Sequence, residues 1–475
     1  MTTSRRDFVR NLSLASAALL AHSAANAVNV HNPANAHSAA NPENKPLVTP
    51  TTTPVDRVKL AIIGTGFRGQ SHLSLALRRP DVDIVAICDV DETMLQSTDN
   101  LLKKSGKPMP KVFTGSPHAY RDLLNIKGLD GVIIATPWEW HTPMVLDSLN
   151  AGIKYVGTEV VLGITLQDHW DVVNAAEQHK ANVMMLENVC YRRDVMAALN
   201  MVRQGLFGEL LHLQGGYQHD LRSVKFNDGK PPYDHGVEFG EKAFSEARWR
   251  TNHSVHRNGD LYPTHGVGPI AMMADINRGN RFLSLSSFAT KTRGLHNYIV
   301  KNGGESHPNA SVRFRLGDIV TTHIHCANGE TILLQHDTNN PRPYSLGFRV
   351  QGTNGLWMDV ARSVYIEGQS KANDEWDPAD TWFTKYDHPL WQRYSKDAEG
   401  AGHGGMDFFV LNAFVESIKR CVPTPQDVYD AAAWSAITPL SEASIEAGFQ
   451  PIPFPDFTHG NWMYRKNDFA LTDEY

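Results

Sequence analysis

Apolar residues along this chain follow two successive patterns. From residue 58 the runs are short, unbroken and rich in β-branched side chains: Val58-Lys59-Leu60-Ala61-Ile62-Ile63, then 83–89, 131–136, 154–157 and 182–186. Stretches with helical spacing separate them, over 71–79, from 137 to 151, and over 166–180. Strands that are apolar on both faces and alternate with helices predict a parallel sheet covered on both sides. After about Glu187 the pattern changes. An amphipathic helix over 194–204 stops at Gly205, and strands then follow one another over 210–217, 283–292, 311–316, 319–326, 330–337 and 346–351. Ala327-Asn328-Gly329 is a hairpin signal between two of them. Aromatic- and Gly-rich irregular sequence fills 226–266 and 357–405, as expected of functional or interface-forming loops. Helices over 405–420 and 431–447 close the chain, and no internal repeat is evident. The expected class is α/β plus α+β: an N-terminal doubly wound parallel sheet of the Rossmann kind, then an open, mostly antiparallel sheet.

The first residues follow neither pattern. Ser4-Arg5-Arg6-Asp7-Phe8-Val9-Arg10 precedes an apolar stretch over 12–21 and the small-residue site Ala25-Asn26-Ala27. This predicts a twin-arginine signal peptide over 1–27. Residues 28–54 are rich in Ala, Asn, Pro and Thr and read as a disordered linker. The expected Rossmann domain covers 55–186, and the α+β substrate and oligomerisation domain covers 187–475. No later stretch is long and apolar enough to span a bilayer. The expected location is periplasmic or secreted, after export in the folded state. A chain exported folded carries any bound cofactor with it, and must recycle that cofactor in place.

Composition narrows the function classes. The chain has 475 residues, 41% hydrophobic and 20% charged, with a net charge of −6. That balance gives no electrostatic reason to expect nucleic acid or an anionic membrane as partner. Cys88, Cys190, Cys326 and Cys421 are scattered without a CxxC pair, so neither a zinc site nor a disulfide framework is expected. No metal is expected.

The strongest local motif is Gly64-Thr65-Gly66-Phe67-Arg68-Gly69, directly after a strand and opening a helix. Gly64 permits a tight turn, Gly66 lets the backbone approach a pyrophosphate, and Gly69 lets helix and strand pack closely. Asp89 ends the second strand where a ribose hydroxyl would lie, and its charge favours NAD over NADP.

Further motifs carry a resemblance. Ala135-Thr136-Pro137 followed by His141, and Lys154-Tyr155-Val156-Gly157-Thr158-Glu159, resemble the glucose-fructose oxidoreductase/inositol dehydrogenase superfamily. Where that superfamily carries Glu-Lys-Pro, this chain has Glu159-Val160-Val161. The lysine helps deprotonate the alcohol in the superfamily's dehydrogenases, so its absence argues against a simple alcohol dehydrogenase. Trp138-Glu139-Trp140-His141, the run from Glu187 to Asp194, the run from Asn258 to His265, and Gly402-His403-Gly404-Gly405 together resemble glycoside hydrolase family 109. That family contains NAD-dependent α-N-acetylgalactosaminidases. The resemblance implies NAD contacts at Phe67, Arg68, Asp89, Trp138, Glu139, Trp140, His141, Glu159, Val160 and Asn188, beside Gly64, Gly66 and Gly69. It implies a sugar pocket of Glu187, Tyr217, Arg250, Tyr262, His265 and Tyr344, with His265, Tyr217, Tyr262 and His403 catalytic. The implied partner is an oligosaccharide or glycoconjugate with terminal α-linked N-acetylgalactosamine, and the second sheet is a candidate homo-oligomer surface.

The chemistry sorts these residues. A conventional glycosidase needs two carboxylates flanking the bond, and spacing alone picks out no such pair. The family's route oxidises sugar C3 with tightly bound, recycled NAD. The C2 proton is then acidic, the aglycone leaves, water adds, and the cofactor is restored. His265 suits the base near the C3 hydroxyl. Tyr217 or Tyr262 moves the C2 proton or stabilises an enolate. His403, among glycines that permit loop motion, protonates the leaving group and activates water. Arg250 and Glu187 hold hydroxyls or the acetamido group. Asp260 lies five residues before His265, and Asp194 is the expected N-cap of its helix. Each has a plainer alternative: a cap for His265, sheet surface for Tyr217, a turn for His403, core packing for Trp138 to Trp140. Two other functions compete, an exported NAD-dependent sugar oxidoreductase and a non-catalytic sugar- or dinucleotide-binding protein.

Overall fold

The computed structural model describes residues 53–475. The expected signal peptide over 1–27, and all but the last two residues of the expected linker, lie outside the described residues.

Six strands form the first sheet: β1 (Val58–Ile63), β2 (Val82–Cys88), β3 (Lys111–Phe113), β4 (Gly131–Ile134), β5 (Tyr155–Thr158) and β6 (Asn182–Met185). Their order is β3-β2-β1-β4-β5-β6, all parallel. Every residue of β4, β5 and β6 is buried, which is why these strands read as unbroken apolar runs. The strand order reverses between β1 and β4, and a crevice opens at the carboxyl ends there. The edge strand β3 was not legible, because it has three residues, none of them buried.

Nine strands form the second sheet: β7 (Leu210–Gln218), β8 (Phe282–Ala289), β9 (Ile319–Cys326), β10 (Thr331–Asp337), β11 (Arg349–Gly352), β12 (Gly355–Met358), β13 (Ser363–Ile366), β14 (Asp377–Pro378) and β15 (Ile452–Pro453). Their order is β14-β13-β12-β11-β7-β10-β9-β8-β15. All pairs are antiparallel except β7 with β10. Strand β9 alternates buried and more exposed positions, so one face of the sheet is covered and the other open.

Several expectations need correction. Residues 311–316 are not a strand. Pro308–Ser311 is a short 3-10 turn, and Arg315 and Leu316 donate to Val255 and Ser254 instead of to a sheet neighbour. The alternation that suggested a strand points Phe314 into a separate cluster with Phe226, Val237, Leu295 and Ile299. The strand expected from residue 346 begins at Arg349, after Gly347 turns the chain with φ of 61°. The irregular span expected over 357–405 holds half of β12, all of β13 and β14, and the helices Ala379–Lys385 and Pro389–Tyr394. Asp194 is not an N-cap. It sits within the first turn of Arg193–Arg203 and pairs with Arg192.

The chain leaves the first sheet near residue 187 and later returns to it. The helices Met406–Arg420 and Val428–Glu446 pack back on the parallel sheet. A side chain at Gly131 would meet Ile418, and one at Gly157 would meet Phe414. Among the described residues no helix is long and apolar enough to cross a membrane.

Candidate active site

The glycine turn sits at the carboxyl end of β1, where the crevice opens. Gly64 has φ of 88°, and a Cβ there would lie 2.5 Å from the Ala135 carbonyl oxygen. A Cβ on Gly69 would overlap the Gly64 carbonyl, so Gly69 packs helix against turn and does not reach the cavity. Gly66 differs, since a Cβ there would meet nothing within 4 Å. It faces open space at the N-terminus of the helix Phe67–Arg78, which no side chain caps. Uncapped N–H groups beside an open glycine are a cradle for a pyrophosphate. Asp89 holds the turn by accepting from the backbone N–H of Thr65 at 2.5 Å and of Asp91 at 2.9 Å. These residues fit the dinucleotide expected from the motif.

From this cradle a cavity of about 560 Å³ runs to the edge of the second sheet. Its walls include Asp89, Asp91 and Tyr120 at one end and Tyr217, Tyr262 and His265 at the other, and His403 lines it as well. Residues Ser245 to Arg250 cross over as a further wall. Arg248 pairs with Asp91 at 3.1 Å, and the Phe244 ring meets Phe67 edge-on at 6.2 Å. Arg250 and a functional loop over 226–266 were expected, but the latch contacts of Arg248 and Phe244 were not, because they join distant parts of the chain.

A charged network forms part of the cavity wall, with Arg68, Glu159, Asn188 and His403 lining it and His72 and Asp407 behind them. Glu159 accepts from Arg68 Nε and from His72 Nε2, both at 2.6 Å. Arg68 also donates to Asp407 at 2.8 Å, His403 Nδ1 donates to Asp407 at 2.8 Å, and Asn188 donates to Asp407 at 2.7 Å. Burial pushes the Glu159 carboxyl up, but the Arg68 charge and the His72 hydrogen bond outweigh it and hold it at about 2. Burial likewise opposes ionisation of Asp407, yet His403 and Arg68 hold its carboxyl far below the usual range. The hydrogen bond to Asp407 raises His403. Sequence reading missed Asp407, because residues 402–405 are not α-helical and helical spacing does not predict the contact. Val160, in place of the superfamily's lysine, lines the cavity as a buried apolar group.

The far end is aromatic and polar. The helix Thr264–Met273 carries His265, and Gly266 on that helix presses against Gly215 and Gly216 of β7 with no room for a Cβ on either side. That close approach sets the His265 ring 5.3 Å from Tyr217 and 4.9 Å from Tyr262. His265 Nδ1 lies 2.7 Å from Glu187, which is fully buried behind it and does not line the cavity. A carboxylate only accepts, so Nδ1 carries a proton and Nε2 is the nitrogen left for chemistry. Arg250 lies over the rings of Trp138 and Tyr262, at 5.1 and 4.9 Å, and pairs with Glu246. Burial raises Tyr217 while the Arg250 charge opposes it, and the Tyr217 hydroxyl is 3.2 Å from His219 Nδ1. Burial raises Tyr262 well above its ordinary value.

Beyond Glu187, two expected contacts, Glu139 and Tyr344, stand off the cavity wall. His141 is among the lining residues, and its ring nitrogens lie 2.6 Å from the Val161 carbonyl and 2.7 Å from that of Thr136, so it also braces backbone. Glu139 turns to His253 at 3.6 Å and does not line the cavity, unlike Trp138 and Trp140. Tyr344 is half exposed and stands beside His219 and Tyr217, outside the cavity wall. Asp260 is buried near Tyr262, whose N–H it accepts at 3.1 Å.

A dinucleotide cradle at the switch point of one sheet, joined by one cavity to paired histidines and tyrosines at the next, defines an NAD-dependent enzyme. Comparison with known proteins agrees on both halves. Residues 58–187 match the family described as an oxidoreductase family with an NAD-binding Rossmann fold. Residues 191–464 match the glycosyl hydrolase 109 C-terminal domain. A glycosyl hydrolase family 109 protein of Stenotrophomonas maltophilia is 59% identical over 90% of this chain and 95% of its own. An alpha-N-acetylgalactosaminidase of Tannerella forsythia is 54% identical over 87% of this chain and 89% of its own. The chain belongs to glycosyl hydrolase family 109. Its fold is shared with levoglucosan dehydrogenase solved with NADH, at TM-score 0.62 and 19% identity over 84% of this chain and all of that one. It is also shared with myo-inositol 2-dehydrogenase of Lactobacillus plantarum, at TM-score 0.58 and 15% identity over 84% of this chain and all of that one.

Proposed function

We propose that this glycosidase removes terminal α-linked N-acetylgalactosamine from oligosaccharides or glycoconjugates, with NAD retained and reused at each turnover. The observation that carries this reading is a pair of histidines lining the cavity of the dinucleotide turn. Each has Nδ1 bound to a buried carboxylate. The name of the Tannerella forsythia relative supports the choice of sugar.

The cavity's own acids speak against a conventional pair of catalytic carboxylates. That chemistry needs one carboxyl held protonated near neutrality. Glu159 is instead held at about 2. Glu246 is paired with Arg250, Asp91 with Arg248, and Asp89 holds two backbone N–H groups.

When bound, NAD supplies reversible oxidation at a sugar carbon, which makes the adjoining C–H acidic. His265, held by Glu187, takes the proton of the sugar hydroxyl at Nε2 and later returns it. Tyr217 handles the C2 proton, since Arg250 eases ionisation of its phenol and His219 is within hydrogen-bond reach. Tyr262, stacked on Trp138, positions the ring. His403 gives the Nε2 proton to the leaving glycosidic oxygen and takes one from the incoming water. In the dinucleotide region, Phe67, Arg68 and Asn188 hold the cofactor in place.

The twin-arginine motif in the sequence supports export of the chain, folded around its cofactor, to the periplasm or outside the cell. The open face of the second sheet is the surface for a homo-oligomer. The test is to incubate purified protein with a chromogenic α-N-acetylgalactosaminide in deuterated water without added NAD. Aglycone release with deuterium at C2 of the product is expected. Accumulation of oxidised sugar without aglycone release would replace this reading with a sugar oxidoreductase.

A further inference from the structure

We propose that Asp407 is the positioning residue for His403: its buried carboxylate decides which ring nitrogen of His403 faces the substrate and ties that ring to the dinucleotide turn. The proposal rests on the reading above, in which His403 serves the leaving oxygen.

Asp407 lies in the first turn of the helix Met406–Arg420, with its side chain fully buried. Four side chains converge on its carboxylate. Arg68 and Ser71, both on the helix after the glycine turn, lie at 2.8 and 3.3 Å. Asn188, just past the first sheet, lies at 2.7 Å, and His403 Nδ1 at 2.8 Å. Arg68 and Asn188 line the cavity and Ser71 stands on the same helix as Arg68, so these three keep the carboxylate in place while His403 attaches to it. The backbone around His403 cannot do that work. Gly402, His403, Gly404 and Gly405 all have positive φ, at 82°, 44°, 69° and 99°. The His403 side chain is more than half exposed. Gly402 is itself packed on the carboxylate, since a Cβ there would sit 2.8 Å from Asp407 Oδ2.

An ionised carboxylate accepts and cannot donate. Nδ1 of His403 therefore keeps its proton, and Nε2 is the nitrogen that exchanges protons with the substrate. The charged groups facing His403 are Asp407 from the helix Met406–Arg420 that follows it, Arg68 from the helix Phe67–Arg78, and Glu159 from the segment after β5. His72 lies behind Glu159. Asp407 and Glu159 favour the imidazolium, Arg68 disfavours it, and the carboxylates prevail.

The experiment uses the full enzyme and Asp407→Asn, which keeps the size and removes the charge. The kcat is expected to fall about 100-fold, with KM changed much less. Losing the carboxylate lowers the pKa of His403, so the protonated form disappears at lower pH. The alkaline limb of the kcat profile is expected to move down by about 1 to 2 pH units. In a His403→Ala background, Asp407→Asn is expected to cost nothing further. Bound nucleotide, measured after denaturation, is expected to stay at the wild-type level. Histidine-selective ¹⁵N NMR of the wild-type protein reads the tautomer directly, with the proton expected on Nδ1 of His403, and this readout stands even if the variant fails to fold. A neutral His403 ring carrying its proton on Nε2 in the wild type, an unmoved alkaline limb, or the same loss in the His403→Ala background would overturn the proposal. Full activity of His403→Ala alone would instead refute the role of His403, while the NMR tautomer still reports on Asp407.

Discussion

His265 and Glu187, 78 residues apart in sequence, share a hydrogen bond of 2.7 Å at the far end of the cavity, and the carboxylate is completely buried. Glu187 also accepts the N–H of Val189 at 3.0 Å, so it is fixed before it fixes the histidine. Glu187→Gln is expected to let the ring adopt the other tautomer and to lower kcat by about 100-fold or more. Steady-state kinetics with a chromogenic substrate check this. A variant that keeps wild-type kcat would show that the pair is structural only.

Gly66 and Gly69 separate cofactor exclusion from misfolding. A Cβ on Gly69 would collide with the backbone of Gly64, whereas one on Gly66 points into open space. Gly69→Ala is expected to destabilise even the cofactor-free protein, by about 1 to 3 kcal/mol. Gly66→Ala is expected to leave that stability unchanged while abolishing retained nucleotide. Thermal melting of cofactor-stripped protein and nucleotide content at 260 nm distinguish the two.

The strap over the cavity is latched by Arg248 on Asp91 and by Phe244 on Phe67. Arg248 is about half exposed, so its ion pair alone is worth at most about 1 kcal/mol. Arg248→Ala is expected to speed nucleotide loss during dialysis by about fivefold or less. Adding Phe67→Ala is expected to speed it further. Equal retention in the double variant would mean that the strap does not hold the cofactor.

Asp260 gives a pH signature. Burial raises its carboxyl from 3.8 to about 7, with only the Tyr262 N–H opposing. An acid raised on folding contributes stability that is fully present below its unfolded value and lost as pH rises toward the folded value. The window is therefore from about 4 to about 7. Asp260→Asn is expected to be more stable than the parent at pH 8, by on the order of 2 kcal/mol. At pH 4 the gain is expected to vanish. Melting curves of both proteins across that range decide it, and a pH-independent difference would show that the carboxyl is not strained.

Local rules explain how much of this was readable beforehand. The parallel sheet announced itself because β4, β5 and β6 are buried on both faces and cannot hold polar residues. The second sheet was legible where alternation persisted, as in β9 and β10. It misled at 311–316, where alternating Val312, Phe314 and Leu316 serve packing without pairing. A side-chain pattern records which groups are buried, not which backbone they bond.

The chain alone determined the glycine turn, the acid at the end of the second strand and the glycine-bounded histidine, because each depends on neighbours a few residues away. Steric freedom at Gly64 and the reach of one strand are local properties. Only the tertiary structure decided that Glu187 stands behind His265, that Arg68 meets Asp407 from 339 positions away, and that His141 braces backbone. Those pairings exist because helices after residue 405 fold back on the first sheet and Gly266 lies against β7. The charges involved are stable in the interior only once both partners arrive there together.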